Sequence, residues 1–287
     1  MYETNMEPRN IGIIGLGLIG GSLGLKLRAT GMSRWIYGVD AHEDHGRIAL
    51  ERGLVDEILP MDEAVEKSDV VFLAIPVDQM VDALPGILDR VDQQIVVDLG
   101  STKSLLRESV IRHPKRSRYV AAHPMWGTEY SGPQAAVEGA FNNKAVILCN
   151  LDENDLDAAN WTRQMFAGIG MHILEMDATD HDLHAAYVSH ISHITSFALA
   201  NTVLEKERED DAIFEMASAG FESTVRLAKS NPAMWVPIFR QNRENVLDVL
   251  NEHISQLRKF KSCLEKENWE YLEELIRDAN KIRRIIK

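Results

Sequence analysis

Ile11-Gly12-Ile13-Ile14-Gly15-Leu16-Gly17-Leu18-Ile19-Gly20-Gly21-Ser22 decides how the first half of the chain folds. Ile11–Ile14 is an apolar run that stops at a glycine, and from Ile19 to Leu27 the apolar residues return at helical spacing. That pattern reads as a buried strand, a tight turn and a helix. Gly15, Gly17 and Gly20 stand in G-x-G-x-x-G spacing across the turn. Gly15 permits the turn, Gly17 lets a pyrophosphate approach the backbone, and Gly20 lets helix and strand pack closely. The helix N-terminus adds free N–H groups and roughly half a positive charge for an anion. A glycine-rich turn between two core elements is the competing reading, and the strand–turn–helix context disfavours it.

Outward from this turn, further apolar runs follow at Trp35–Val39, Val70–Ile75, Ile95–Leu99, Tyr119–Ala122 and Ala145–Cys149. They are short and bounded by turn residues, as buried parallel strands are. With helices between them they predict an α/β Rossmann domain, a doubly wound, mostly parallel sheet. The second run ends in Asp40, placed to bind adenosine ribose hydroxyls. A 2′-phosphate beside that carboxylate would be repelled, which favours NAD over NADP. His42, His45 and Arg47 nearby leave dual use open. Leu18 and Ile19 in the turn, and Pro76 closing the third run, complete the expected cofactor-contacting set. From about Asp177 the short β-branched runs give way to long helical patterns, such as Leu183–Lys206 and Val246–Leu264, with interruptions at Ala219–Gly220 and Asn231–Pro232. The expected division is 1–176 for the nucleotide-binding domain and 177–287 for an all-α domain that binds substrate and dimerises. The charged cluster Glu205–Asp211 reads as a solvated helix end or loop.

Composition narrows the function classes. A chain of 287 residues with 45% hydrophobic content can bury two cores. Its formal net charge of -13 argues against nucleic acid and anionic membrane as partners. An anion site must therefore be built locally, from an arginine or a helix N-terminus. Cys149 and Cys263 are far apart and form no CxxC pair, so they read as reduced thiols of a cytoplasmic protein, with no metal site. The N-terminus has no apolar signal core, and no run of about 18 apolar residues follows to span a bilayer.

Four further segments carry chemistry: Asp98-Leu-Gly-Ser-Thr-Lys103, His123-Pro-Met-Trp-Gly-Thr-Glu129-Tyr-Ser-Gly132, Ser189-His-Ile-Ser-His193, and Gly220-Phe-Glu-Ser-Thr-Val-Arg226-Leu-Ala-Lys-Ser-Asn-Pro-Ala-Met-Trp235. In this order, behind the glycine turn, they resemble the blocks of the prephenate dehydrogenase family of tyrosine biosynthesis. The resemblance runs from about Ile11 to Trp235. It implies oxidation of prephenate by NAD: hydride leaves ring carbon C4, the C4 hydroxyl loses its proton, and the ring carboxylate departs as CO₂, giving 4-hydroxyphenylpyruvate.

His123 follows an apolar run, and residues at strand carboxyl ends face the ligand crevice in this fold. Its imidazole suits proton removal at neutral pH, so it is the candidate base; a structural histidine before a turn proline is the bland alternative. By resemblance Ser101 orients the base or the C4 hydroxyl; it also suits the N-cap of a helix beginning near Lys103. Arg226 fits a bidentate clamp for a substrate carboxylate, although most helix arginines simply face solvent. The resemblance gives His193 a substrate contact and His190 a structural one. It gives Glu129 a share in polar gating and Trp235 a place in the site wall; a surface Glu and a core Trp are the plain readings. Ser192, Ala219 and Trp126 depart from the family pattern and bear on substrate choice, with arogenate or an amino-substituted prephenate as alternatives. A β-hydroxyacid or imine-type reductase would share the two-domain plan but commonly relies on a lysine in the helical domain, where this chain supplies His193, with His123 in the base position; an inactive NAD-sensing regulator would keep Gly15–Gly20 and dispense with Ser101, His123 and Arg226. The broadly apolar Leu183–Lys206 helix needs partners on several sides, and the resemblance implies a homodimer through it. The chain stops at Lys287 in a charged helical stretch, so no appended regulatory domain is expected, and any feedback by tyrosine could then act only at the active site.

Overall fold

The computed structural model describes residues 6–207 and 214–285. Strands β1 (Arg9–Ile14), β2 (Ser33–Val39), β3 (Glu57–Ile58), β4 (Val70–Leu73), β5 (Ile95–Asp98), β6 (Tyr119–Pro124), β7 (Ala145–Cys149) and β8 (His172–Met176) form one sheet in the order β3-β2-β1-β4-β5-β6-β7-β8. β6 and β7 run antiparallel and the other neighbours run parallel. The expected mostly parallel Rossmann sheet is present, with two strands the apolar runs did not announce. β3 pairs through only Glu57 and Ile58. β8 lies at an edge, carries His172 and Glu175, and has no fully buried residue, so it lacks a continuous apolar run.

Helices α1 (Leu18–Ala29), α2 (Glu43–Glu51), α3 (Met61–Lys67), α4 (Val77–Arg90), α5 (Ser104–Val110) and α6 (Leu156–Gly168) accompany the sheet. Alternate strand residues point to opposite faces, and both faces are covered. Phe72, Val97, Val120 and Ala122 share a buried layer with Leu23 and Leu27 of α1 and Trp161 and Phe166 of α6. Val71, Leu73, Val96 and Ala121 join Met80, Leu84 and Leu88 of α4. Strand order reverses between β1 and β4, which opens a crevice at their carboxyl ends. Gly15 follows β1, Ala74 to Pro76 follow β4, Gly100 and Ser101 follow β5, and His123 lies near the end of β6. His123 is thus still inside its strand, opposite Ile147, rather than just beyond it, because the antiparallel pairing with β7 prolongs β6 to Pro124.

After β8 every regular element among the described residues is helical. α7 (Ala178–Ala185) runs through one π-helical turn, Ala186–His190, into α8 (Ile191–Glu207); α9 (Ala219–Val225) passes through a 3₁₀ turn, Arg226–Lys229, to α10 (Pro232–Gln241). The helical stretch expected over Leu183–Lys206 is therefore interrupted by a wide turn that ends at His190. The Asn231–Pro232 break is a cap: Asn231 accepts a hydrogen bond from the Ala233 N–H at 2.9 Å, with Pro232 opening the helix. Of the charged cluster, residues 205–207 end α8 and residues 208–211 lie outside the described residues. The chain falls into two compact units, Met1–Asn242 and Arg243–Lys287. The second consists of α11 (Arg243–Glu265), α12 (Trp269–Ala279) and a terminal 3₁₀ turn, Asn280–Arg284.

Candidate active site

The glycine turn has little room for side chains where backbone must pass. Gly15 has φ +96°, and a Cβ there would stand 2.5 Å from the Ala74 carbonyl oxygen. A Cβ on Gly20 would collide with the Gly15 carbonyl oxygen, whereas around Gly17 nothing lies within 4 Å. Gly17 is the N-cap of α1, and the first turn of α1 carries no acidic residue. Leu18 and Ile19 are half-buried there. Asp40 sits past the end of β2; its carboxylate accepts from the Leu16 N–H and the His42 N–H, both at 2.9 Å, with His45 Nδ1 3.2 Å away. Pro76 caps α4 across the crevice. A close-packed turn, an open helix N-terminus and a carboxylate beyond β2 fit a dinucleotide.

Two strands over, the Asp98–Lys103 segment builds a buried strut. Lys103 Nζ is fully buried, bonds to Asp98 and donates to the Ala122 carbonyl at 2.8 Å. Asp98 also accepts from the Tyr119 hydroxyl at 2.7 Å and from the Gly100 N–H at 2.8 Å. Burial, then the Asp98 charge, raises the Tyr119 phenol well above its ordinary value. The strut clamps the end of β5 to β6 beside His123. Ser101, between Gly100 and this lysine, is half-buried and is not the cap of α5. That cap is Asp182, whose carboxylate accepts from the Lys103 N–H at 2.8 Å and the Ser104 N–H at 2.9 Å. No hydrogen bond joins Ser101 to His123 among the described residues.

His123 is 9% exposed. Its Nδ1 lies 2.8 Å from His181 Nε2, and His181 Nδ1 lies 2.8 Å from Asp182 Oδ1. Burial first, then His181, Lys103 and His190, hold the His123 imidazole well below its ordinary value. Asp182 is buried too, which opposes ionisation, yet the His181 contact and the two amide N–H groups keep its carboxyl below the usual range.

The remaining candidates continue from this group. Asn242 Nδ2 bonds the Asp182 carbonyl at 2.6 Å and lies 3.1 Å from His190 Nδ1. The His190 ring meets Trp235 edge-on at 5.9 Å, and His193 stacks on Trp235 at 3.4 Å. Burial lowers His190 to about 4, and burial with Arg226 nearby lowers His193. Arg226 Nη1 bonds Glu129 Oε2 at 2.8 Å, and Glu129 stands six residues beyond His123. Its own amide and Arg226 hold Glu129 below the usual carboxylate range. Contacts run from His123 through His181, Asp182, Asn242, His190 and Trp235 to His193, and Arg226, whose charge His193 feels, pairs with Glu129 on the segment that follows His123. Trp235 packs with Val77 and Ile238, which ties α10 to the corner after Pro76, and the Thr102 hydroxyl bonds Gln241 Oε1 at 2.6 Å.

Sequence reasoning overlooked His181, Asp182 and Asn242. A signal existed: Ala178, His181, Asp182, Ala185, Ala186 and His190 recur at helical spacing and are all buried. Polar residues on such a stripe must be paired. Of the departures, Trp126 packs edge-on against Phe141 at 5.9 Å, Ala219 opens α9 on an exposed face, and Ser192 follows the π-helical turn. Among the described residues no group of three or more His, Cys, Asp or Glu is placed to hold a metal ion.

Residues 23–175 match the family model for the prephenate dehydrogenase nucleotide-binding domain, and residues 177–278 match that for the prephenate dehydrogenase dimerization domain. The chain is 30% identical to prephenate dehydrogenase of Bacillus subtilis, over 93% of this chain and 73% of that one. It is 28% identical to cyclohexadienyl dehydrogenase of Zymomonas mobilis, over 97% and 96% of the two chains. A crystal structure of prephenate dehydrogenase from Aquifex aeolicus, in complex with hydroxyphenyl propionate and NAD+, superposes with a TM-score of 0.87 at 28% identity, covering 99% of this chain and 100% of that one. The chain belongs to the prephenate dehydrogenase family.

Proposed function

We propose that this protein oxidises and decarboxylates prephenate to 4-hydroxyphenylpyruvate with NAD, in tyrosine biosynthesis. The observation that carries the reading is the place of His123: at the carboxyl edge of the sheet, three strands from the glycine turn, with Arg226 paired to Glu129 six residues further along the same segment. NAD, when bound, supplies the hydride acceptor. Gly15, Gly17, Leu18, Ile19 and Gly20 would hold its pyrophosphate, Asp40 its ribose, and Pro76 its approach to the crevice. The Asp40 carboxylate disfavours a 2′-phosphate, and comparison of KM for NAD and NADP tests this.

His123 Nε2 makes no hydrogen bond among the described residues and takes the C4 hydroxyl proton. Ser101, whose hydroxyl is committed to no helix cap, orients that hydroxyl. Arg226 grips a carboxylate, exchanging Glu129 for the substrate as it does so. His193 and Trp235 form one stacked wall. Loss of CO₂ makes the ring aromatic, so the residues need mainly to position the substrate and manage one proton. The deciding experiment incubates the protein with prephenate and NAD and follows the NADH absorbance, with arogenate in parallel. No NADH from either substrate would reject the reading; turnover of arogenate alone would reassign the substrate.

A functional division at 176/177 and a homodimer are part of the same reading. In the single chain α8 buries only Ser196 fully, and Val188 and Leu204 beside and within it are 67% and 50% exposed. The second unit likewise exposes Leu257, Leu264, Trp269 and Ile276. Such surface calls for a partner. Among the described residues no helix is long and apolar enough to cross a membrane, and Cys149 and Cys263 are free and buried, in keeping with the cytoplasm.

A further inference from the structure

We propose that His181 and Asp182 are positioning residues for the base: they fix the tautomer of His123 and hold the proton it borrows. The inference rests on His123 being the base. A carboxylate only accepts hydrogen bonds, so the Asp182 contact places a proton on His181 Nδ1. Neutral His181 then offers a lone pair at Nε2, and His123 must donate to it from Nδ1. The lone pair of His123 is therefore left on Nε2, the nitrogen that makes no hydrogen bond among the described residues. A proton on His181 in the resting enzyme would reverse the bond and place a hydrogen on His123 Nε2, abolishing the base. Asp182 holds the proton of neutral His181 on Nδ1 without moving, because the Lys103 and Ser104 amides pin it.

The charges around the pair give the relay its direction. Lys103 from the start of α5 and His190 from the π-helical turn both oppose a positive charge on His123. His181 differs in touching the Asp182 carboxylate directly. Asp98 on β5 is engaged by Lys103 and Tyr119. When the C4 hydroxyl gives its proton to His123 Nε2, the Nδ1 proton passes to His181 Nε2. His123 is neutral again, with its proton on Nε2, and the cation rests on His181 beside Asp182. The C4–H electron pair leaves as hydride to NAD, and C4–O becomes a carbonyl. The C1–carboxylate pair then enters the ring as CO₂ departs, giving a phenolate. Both protons step back, so the phenolate oxygen recovers its hydrogen and His123 its starting tautomer. The overall reaction releases no proton, which is why a buried side-chain reservoir suffices.

The test is ¹⁵N NMR of the full-length protein labelled at histidine, with NAD present and without prephenate. The His123 signals are assigned by their loss in His123→Asn. The expected state has Nδ1 of His123 protonated and Nε2 unprotonated. His181→Met removes the acceptor and should lower kcat by about 10²-fold or more, while His181→Gln, whose amide oxygen can accept from Nδ1, should recover at least about tenfold of that loss. NAD affinity should stay within about threefold in both variants, since neither touches the glycine turn. A wild-type His123 protonated at Nε2, or a His181→Met enzyme with kcat within threefold of wild type, overturns the proposal. The tautomer is measured without turnover, so a protein inactive on prephenate would sink the functional reading separately.

Discussion

At the scale of single residues, electrostatics decides more than position. His123 is buried and faces Lys103 and two further histidines, so its neutral form persists below the ordinary imidazole range. With this histidine as base, the acid limb of kcat/KM is expected below pH 6.5, since the active form is lost only as pH falls through the lowered value. A limb above 6.5 would mean another group controls the rate. His123→Asn should lower kcat by ~10²–10⁴ and leave the NAD dissociation constant unchanged by calorimetry. Arg226 is half-exposed and bound to Glu129, so a substrate carboxylate must compete for it. Charge-assisted hydrogen bonds are worth ~1.5–3 kcal/mol, so Arg226→Ala should raise KM for prephenate about ten- to hundredfold. KM for NAD should hardly move; equal changes in both would remove the clamp.

At the scale of elements, two structures support the site, and the cost of loosening each is read as stability. The strut between β5 and β6 holds a buried ion pair, and removing one partner leaves the other uncompensated. Lys103→Met should therefore cost ~3–5 kcal/mol of stability in urea unfolding; a loss under 1 kcal/mol would show that Tyr119 and the Gly100 amide satisfy Asp98 unaided. The π-helical turn ends at His190, which is buried against Trp235 and lowered to about 4. The unfolded chain takes up the proton first, so this residue stabilises the fold fully above about pH 6.5, and the contribution is lost as pH falls toward 4. The unfolding midpoint of the wild type should drop through that window, and His190→Gln should flatten the drop.

At the scale of the whole molecule, the half-exposed α8 and the apolar residues of α11 and α12 lead to the expectation of a dimeric mass by light scattering at micromolar concentration. A monomer would leave that surface uncovered. The glycine turn, the succession of buried strands and the change to helices near Asp177 were legible in the chain itself. These features are local: periodicity, turn residues and spacing express constraints between near neighbours. Motif order was equally legible, and it singled out His123, Ser101, Arg226, His193 and Trp235. Only the tertiary structure decided which groups meet. His181 touches His123 across 58 positions, and Asn242 reaches Asp182 across 60. Asp182, not Ser101, caps α5, and Lys103 is a buried strut. Such pairings arise when separate elements pack on one sheet edge, and their protonation states depend on burial and facing charge, which the linear order of residues does not encode.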